Sequence, residues 1–256
     1  CGVVHARHRM TTEKVTVPLA KLPKEFEGIK IVQLSDIHVG PTIKRDFVRE
    51  MVNRTNALNP DIIVITGDLV DGSVDYLSKD IEPLRDLRAA LGKFVITGNH
   101  EYYSGVFSWL EKFRELGLEP LINEHRVISR DKAGLVIGGV TDYKAEQSVP
   151  QHKTDPITSV IDAPEECAKI LLAHQPVSIY EASKAGYDLQ LSGHTHGGQY
   201  FPFSGLVKIA QPYIAGLYKH NKTWLYVNRG TAYWGPPIRL GAPAAITELI
   251  LTGESL

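Results

Sequence analysis

The chain is poor in sulfur and in net charge, and it has no long apolar run. Its 256 residues hold two cysteines, Cys1 and Cys167, and two methionines. Two cysteines cannot build a disulfide framework, so stability has to come from a buried core. Cys167 reads as a small hydrophobe beside a strand, and a start at Cys1 in place of Met points to an upstream segment that has been removed. The 28 Lys and Arg against 29 Asp and Glu leave a net charge of −1. A general nucleic-acid binder is usually strongly basic, so no nucleic-acid partner is expected. No apolar stretch approaches the ~18 residues that cross a bilayer, and the chain as it stands reads as soluble. Internal repeats, low-complexity tracts and linkers are also missing, so residues 1–256 are expected to form a single domain. What is present is ordinary globular usage, 43% hydrophobic and 22% charged, which excludes disordered and fibrous classes.

The apolar runs are short, rich in β-branched residues and bounded by glycine or polar groups. Residues 29–34, 62–65 and 94–96 read as buried strands. Between them, Ile43, Phe47, Met51, Val52, Thr55 and Leu58 recur at helical spacing, with Pro60 past the end. Leu77 to Leu91 repeats that pattern, provided that Pro83 falls in a first turn. Val106, Leu110, Phe113 and Leu116 make a third helix closed by Gly117. Strand and helix alternate here as in βαβ units on a largely parallel sheet. After residue 120 the pattern changes: 127–128, 135–137, 170–173, 189–191, 224–227 and 245–251 read as strands, and only 177–184 as a helix. That predicts a second, more antiparallel sheet stacked on the first. Residues 144–166, with Pro150, Pro156 and Pro164, are expected to form a long loop or lid.

Chemistry-bearing residues collect just after these strands, where α/β folds place their ligands. Asp36 and His38 follow the first strand, Asp68 the second, Asn99 and His100 the third. His174, His194 and His196 follow two strands of the second half. Carboxylate, imidazole and amide groups together suit Zn, Mn or Fe rather than Ca or Mg alone. Each cluster alone is commonplace; their order and shared position are not.

The blocks Asp36-Ile37-His38, Gly67-Asp68, Gly98-Asn99-His100-Glu101, His174 and Gly193-His194-Thr195-His196 resemble the motif set of the calcineurin-like metallophosphoesterase superfamily. The resemblance implies an α/β fold, a four-layer αββα sandwich of two mixed β-sheets flanked by helices. It also implies two divalent metal ions (Mn, Zn or Fe). Asp36, His38 and His196 would hold the first, Asn99, His174 and His194 the second, and Asp68 would bridge them. A hydroxide bridging the metals would attack phosphorus, with His100 near the leaving group. Glu101 and Asp71 are candidates for orienting the imidazoles. A metallo-β-lactamase reading fails, because His196 is followed by Gly197-Gly198-Gln199 instead of an Asp-His pair. The remaining alternative is the same fold with weak catalysis, serving as a membrane or cell-envelope binding module.

Further segments, 193–199, 215–218, 228–230 and 235–239, resemble a bacterial branch with an N-terminal membrane segment. The run-in before residue 28 does the same. That branch implies a membrane-anchored domain on the extracytoplasmic face, with residues 1–28 leading in from the anchor. Its substrates would be phosphodiesters or pyrophosphates, as small phosphate esters or lipid-linked phosphates. Tyr102, Tyr103 and Arg229 are the candidate substrate contacts. Most other aromatics, Trp234 included, are expected to pack in core or loops, and His125, His152 and His220 to lie on the surface. From Gln199 to Leu240 there are five basic residues, Lys208, Lys219, Lys222, Arg229 and Arg239, and no acid. Such a run is expected to face an anionic membrane surface or a polyanionic substrate.

Overall fold

A computed structural model describes residues 10–199 and 211–254. Two six-stranded mixed sheets form its centre. The first contains β1 (Met10–Leu19), β2 (Lys30–Leu34), β3 (Ile62–Thr66), β4 (Gly92–Ile96), β5 (Glu119–Pro120) and β12 (Ala244–Gly253), in the order β1-β12-β2-β3-β4-β5. The second contains β6 (Glu124–Arg130), β7 (Ala133–Gly139), β8 (Ala168–Leu172), β9 (Leu189–Ser192), β10 (Gly216–His220) and β11 (Thr223–Val227), in the order β10-β11-β9-β8-β7-β6.

Strand alternation sorts the core into layers. Ile31, Ile62 and Val64 face the second sheet and pack with Leu135, Ile137, Ile170, Leu172, Leu189 and Leu191. Val32, Leu34, Ile63 and Ile65 face outward onto helices α1 (Arg45–Ala57), α2 (Val74–Ile81) and, after the short α3 (Asn99–Tyr103), α4 (Val106–Glu115), through Val48, Met51, Leu77, Trp109 and Phe113. The short helix α5 (Ile179–Lys184) covers the far face of the second sheet with Ile179 and Ala182. Ile62 to Ile65 are all buried because both faces of their sheet are covered, which is why they read as a continuous apolar run.

Two expectations change. The second sheet is parallel at its centre, β7-β8-β9-β11, and antiparallel only where β6 and β10 join its edges. Its parallel crossovers carry little helix: 140–167 is a loop with three 3₁₀ turns, at Ala145–Gln147, Pro150–His152 and Thr158–Val160. The helix expected over Leu77–Leu91 starts earlier, at Val74, and gives way at Glu82 to a 3₁₀ turn that seats Pro83, where an α-helical continuation would clash. Residues 10–19, within the expected lead-in, form the edge strand β1, paired in parallel with β12. Its polar, half-exposed middle hides it from an apolar-run search.

Candidate metal centre

Each expected ligand lies two to four residues past the carboxyl end of β2, β3, β4, β8 or β9, so the fold gathers them at one edge of the stacked sheets. Five of them turn the chain in an unusual way: Asp36 (φ 51°), His38 (50°), Asp68 (51°), His194 (70°) and His196 (51°) occupy the left-handed region. That conformation costs roughly 1–2 kcal/mol per non-glycine residue and persists only where neighbours enforce it. Here they do. The His194 N–H donates to both Asp36 carboxylate oxygens at 3.0 Å, the His38 N–H to the Asp68 carbonyl at 3.0 Å, and the His100 N–H to Asp68 Oδ1 at 2.9 Å. The bends aim side chains inward that a straight strand end would send apart.

The motif glycines permit close approach. A Cβ on Gly98 would stand 2.6 Å from the Asp68 backbone nitrogen and against its carboxylate, where real Cβ atoms do not fit. Gly98→Ala must therefore displace the Asp68 loop. We expect metal content to fall and activity to drop about a hundredfold, the usual cost of an ~1 Å misplacement. Elemental analysis and initial rates check it.

Ligand atoms converge in two nests, and a third group, His38, Asp68 and His100, overlaps both. In one, Asp36, His38 and His196 meet, with His196 Nε2 3.5 Å from Asp36 Oδ1 and 3.1 Å from His38 Nε2. In the other, Asp68, His174 and His194 meet: His174 Nε2 lies 3.1 Å from Asp68 Oδ2 and 3.1 Å from His194 Nδ1. Asp68 Oδ2 is also 3.9 Å from His38 Nε2 and 4.0 Å from His100 Nε2, so it sits between the nests. The imidazoles are oriented from behind. His38 Nδ1 donates to Asp71 Oδ1 at 2.9 Å, and His174 Nδ1 donates to the Thr66 carbonyl at 2.8 Å, which turns their Nε2 lone pairs inward. Burial opposes charge on Asp68, yet His174, His38 and His100 around it hold its pKa far below the usual carboxylate range. Burial, His38 and the Arg239 guanidinium hold His196 neutral, the form that binds a cation.

This donor set fits a pair of divalent cations. Lone pairs of imidazoles and carboxylates facing one another at about 3 Å repel unless a cation or proton lies among them. The buried Asn99 Oδ1, an expected ligand, has no hydrogen-bond partner among the described residues. Such an orphan costs free energy that coordination recovers.

Asp71 and Glu101 divide the supporting work. Asp71 Oδ1 accepts from His100 Nδ1 at 2.6 Å as well as from His38, and although burial opposes the anion, these two imidazoles hold its pKa down at about 2. Conversely, burial tends to lower the His100 pKa, but Asp71 and Asp68 raise it. Glu101 touches no imidazole, contrary to expectation. Its carboxylate accepts backbone N–H bonds from Asp68, Leu69, Val70 and Gly98 at 2.6–3.2 Å and so staples the second and third motifs together.

A cavity of about 780 Å³ opens over the ligands, lined by His38, Asp68, Asn99, His100, His194 and His196 on its floor. Of the three expected substrate contacts, only Tyr103 lines it. Tyr102 points away: its hydroxyl lies 2.9 Å from His152 Nδ1 and so ties the 144–166 loop down, which takes His152 out of its expected surface role. Arg229 lies outside the lining and pairs with Glu13 at 3.5 Å. Sequence reasoning missed Tyr143, Lys144, Gln175, Gln199 and Gln211 in the walls, and placed Trp234 in the packing. Within the basic run, Arg239 does not face solvent. Arg239 is 3% exposed, its guanidinium donating to the carbonyls of His196, Arg229, Ala232 and Ala242, while Lys219 pairs with Glu254. Lys208 lies outside the described residues.

Comparison with known proteins agrees with this geometry. Residues 29–198 match the family described as calcineurin-like phosphoesterase. The chain is 37% identical over 98% of its length to a "transmembrane protein with metallophosphoesterase domain" of Danio rerio, and 40% identical over 98% to the protein of that description in Bos taurus. It is 41% identical over 98% to a metallophosphoesterase of Helicobacter pylori. It spans 59%, 59% and 66% of those relatives' lengths. Among solved structures, the sulfate thiohydrolase SoxB of Thermus thermophilus superposes with a TM-score of 0.53 at 13% identity, over 90% of this chain and 57% of that one. A 5′-nucleotidase precursor from the same species gives 0.50 at 15% identity, over 88% and 54%.

Proposed function

Because the chain belongs to the calcineurin-like phosphoesterase family, we propose that it hydrolyses a phosphodiester or pyrophosphate bond with the help of two divalent cations. The observation that carries this reading is the pair of nests joined by Asp68. Asp36, His38 and His196 would hold one cation, Asn99, His174 and His194 the other, and Asp68 both. Cations there would lower the pKa of water and draw charge from the phosphoryl oxygens. The protein supplies orientation and a proton. Asp71 holds His100 by Nδ1, which leaves its Nε2 at the cavity floor, 4.0 Å from Asp68 Oδ2. From there it donates a proton to, or stabilises charge on, the departing oxygen.

The preference for diester or pyrophosphate rests on the branch resemblance of the sequence. Two relatives named as transmembrane proteins support a membrane-anchored setting, and the branch resemblance supports the extracytoplasmic face. No helix among the described residues is long and apolar enough to cross a membrane, so an anchor would be supplied by another part of the protein. Partners on this reading are a small phosphate ester or lipid-linked phosphate and a membrane surface.

The test is elemental analysis of protein purified without added metal, followed by a panel of mono-, di- and pyrophosphate esters. Two equivalents of metal and faster hydrolysis of a diester or pyrophosphate are expected. A generic monoester cleaved faster than any diester would sink the substrate preference. Chelation gives an independent check. Metal stabilises the folded state by mass action, about 4 kcal/mol at a thousandfold excess over Kd, so EDTA treatment is expected to lower Tm by several degrees and added Mn or Zn to restore it. An unchanged Tm would count against tight binding.

A further inference from the structure

Two aromatic side chains beside His100 are exposed to solvent for no reason that packing among the described residues supplies. Tyr103 is 71% exposed and Trp234 is 45% exposed. Tyr103 meets the His100 ring edge-on, with centroids 5.6 Å apart and planes at 64°, and Trp234 does so at 6.0 Å and 77°. They come from distant parts of the chain, one on the helix that follows β4 and one on the loop before β12. Both line the cavity over the metal ligands.

Trp234 is held firmly despite its exposure. Gln199, buried and just past the His194-Thr195-His196 turn, accepts from the Trp234 N–H at 3.0 Å and donates to its carbonyl at 2.9 Å. On the other side, the buried Arg239 guanidinium donates to the Ala232 and His196 carbonyls, which ties the same loop to a metal-ligand segment. A large, half-exposed ring whose main chain is pinned beside the metal ligands by the Gln199 side chain is arranged to meet something other than its own protein.

Resting on the phosphoesterase reading above, we propose that Tyr103 and Trp234 form a clamp on the leaving-group side of the site, selecting phosphate esters whose leaving group carries an aromatic ring. His100 fixes the side, since it faces the departing oxygen on that reading. An acyl chain fits less well. Among the described residues the wall is mixed, with Tyr103, Tyr143, Val177, Trp234 and Pro236 sharing it with Lys144, Gln175 and Gln199. Rings with polar edges suit such a mixed wall, and rigid aromatic partners lose little entropy in making the contact.

Binding of non-hydrolysable dianions to metal-loaded protein tests the clamp without turnover. Calorimetry compares phenylphosphonate, cyclohexylphosphonate and octylphosphonate on the unaltered protein and on Tyr103→Ala, Trp234→Ala and Trp234→Phe. Phenylphosphonate is expected to bind about tenfold tighter than its saturated counterpart, the size of one good aromatic contact. Each alanine variant should lose most of that ratio and Trp234→Phe should keep most of it, with metal content unchanged in all. Equal affinity for phenyl and cyclohexyl, tightest binding of the octyl compound, or a preference intact in both alanine variants would overturn the clamp. A phenyl preference without hydrolysis of any ester would overturn the phosphoesterase reading and the leaving-group assignment with it, leaving only an aromatic-binding pair. Hydrolysis without the preference would overturn the clamp and leave the phosphoesterase reading standing.

Discussion

Asp68→Asn is expected to abolish activity, by at least ~10⁴, and to strip tightly bound metal from the protein. Asp68 Oδ2 lies 3.1 Å from His174 Nε2 in one nest and 3.9 Å from His38 Nε2 beside the other. On the proposed assignment it is the shared anion between two cations. Asparagine keeps the shape and the acceptor for the His100 N–H, which now bonds Asp68 Oδ1, but removes the charge. Cations left facing one another without it are uncompensated, and their affinity falls. Loss of the Lewis acid then removes several kcal/mol of transition-state stabilisation, each 1.4 of which is about tenfold in rate. Metal content by elemental analysis and kcat together decide it. Two metals retained at near-normal rates would rule out the bridging role.

His100→Asn should separate chemistry from metal binding. The imidazole is partly open to the cavity, anchored by Asp71 at Nδ1, and its Nε2 is the part offered to a substrate. Metal content is expected to stay at the unaltered level while kcat falls by about 10²–10⁴, the range for a general acid. The loss should shrink for leaving groups as good as nitrophenolate, which need no proton. An equal loss across leaving groups would point to charge stabilisation instead of proton transfer. Loss of metal would make His100 a ligand, which the meeting of His38, Asp68 and His100 in one cluster renders a real alternative.

These two variants show how differently the site's parts were legible. The ligands are written locally. Each follows a short β-branched run within a few residues, because parallel strands deliver functional groups at their carboxyl ends, and the chain repeats that grammar five times from Asp36 to His196. Strand and helix identity were legible for the same reason, since periodicity needs only a handful of neighbours. The sequence alone therefore determined the layered α/β plan and the residue types that face the metals. Where local signal was weak, it failed. β1 is polar in its middle and finds its place only through pairing with β12 at the far end of the chain, where Met10 stands opposite Ala244. Tertiary structure decided the rest, because packing two sheets face to face brings together groups that no local pattern links. His38 meets His196 across 158 residues of chain. Asp71 serves two imidazoles at once, and Glu101 turns from the metals to the backbone of its neighbours. Arg239, one of a basic run by sequence, is drawn inside by backbone carbonyls that only the folded loop presents together, and in closing that loop it sets Trp234 beside His100.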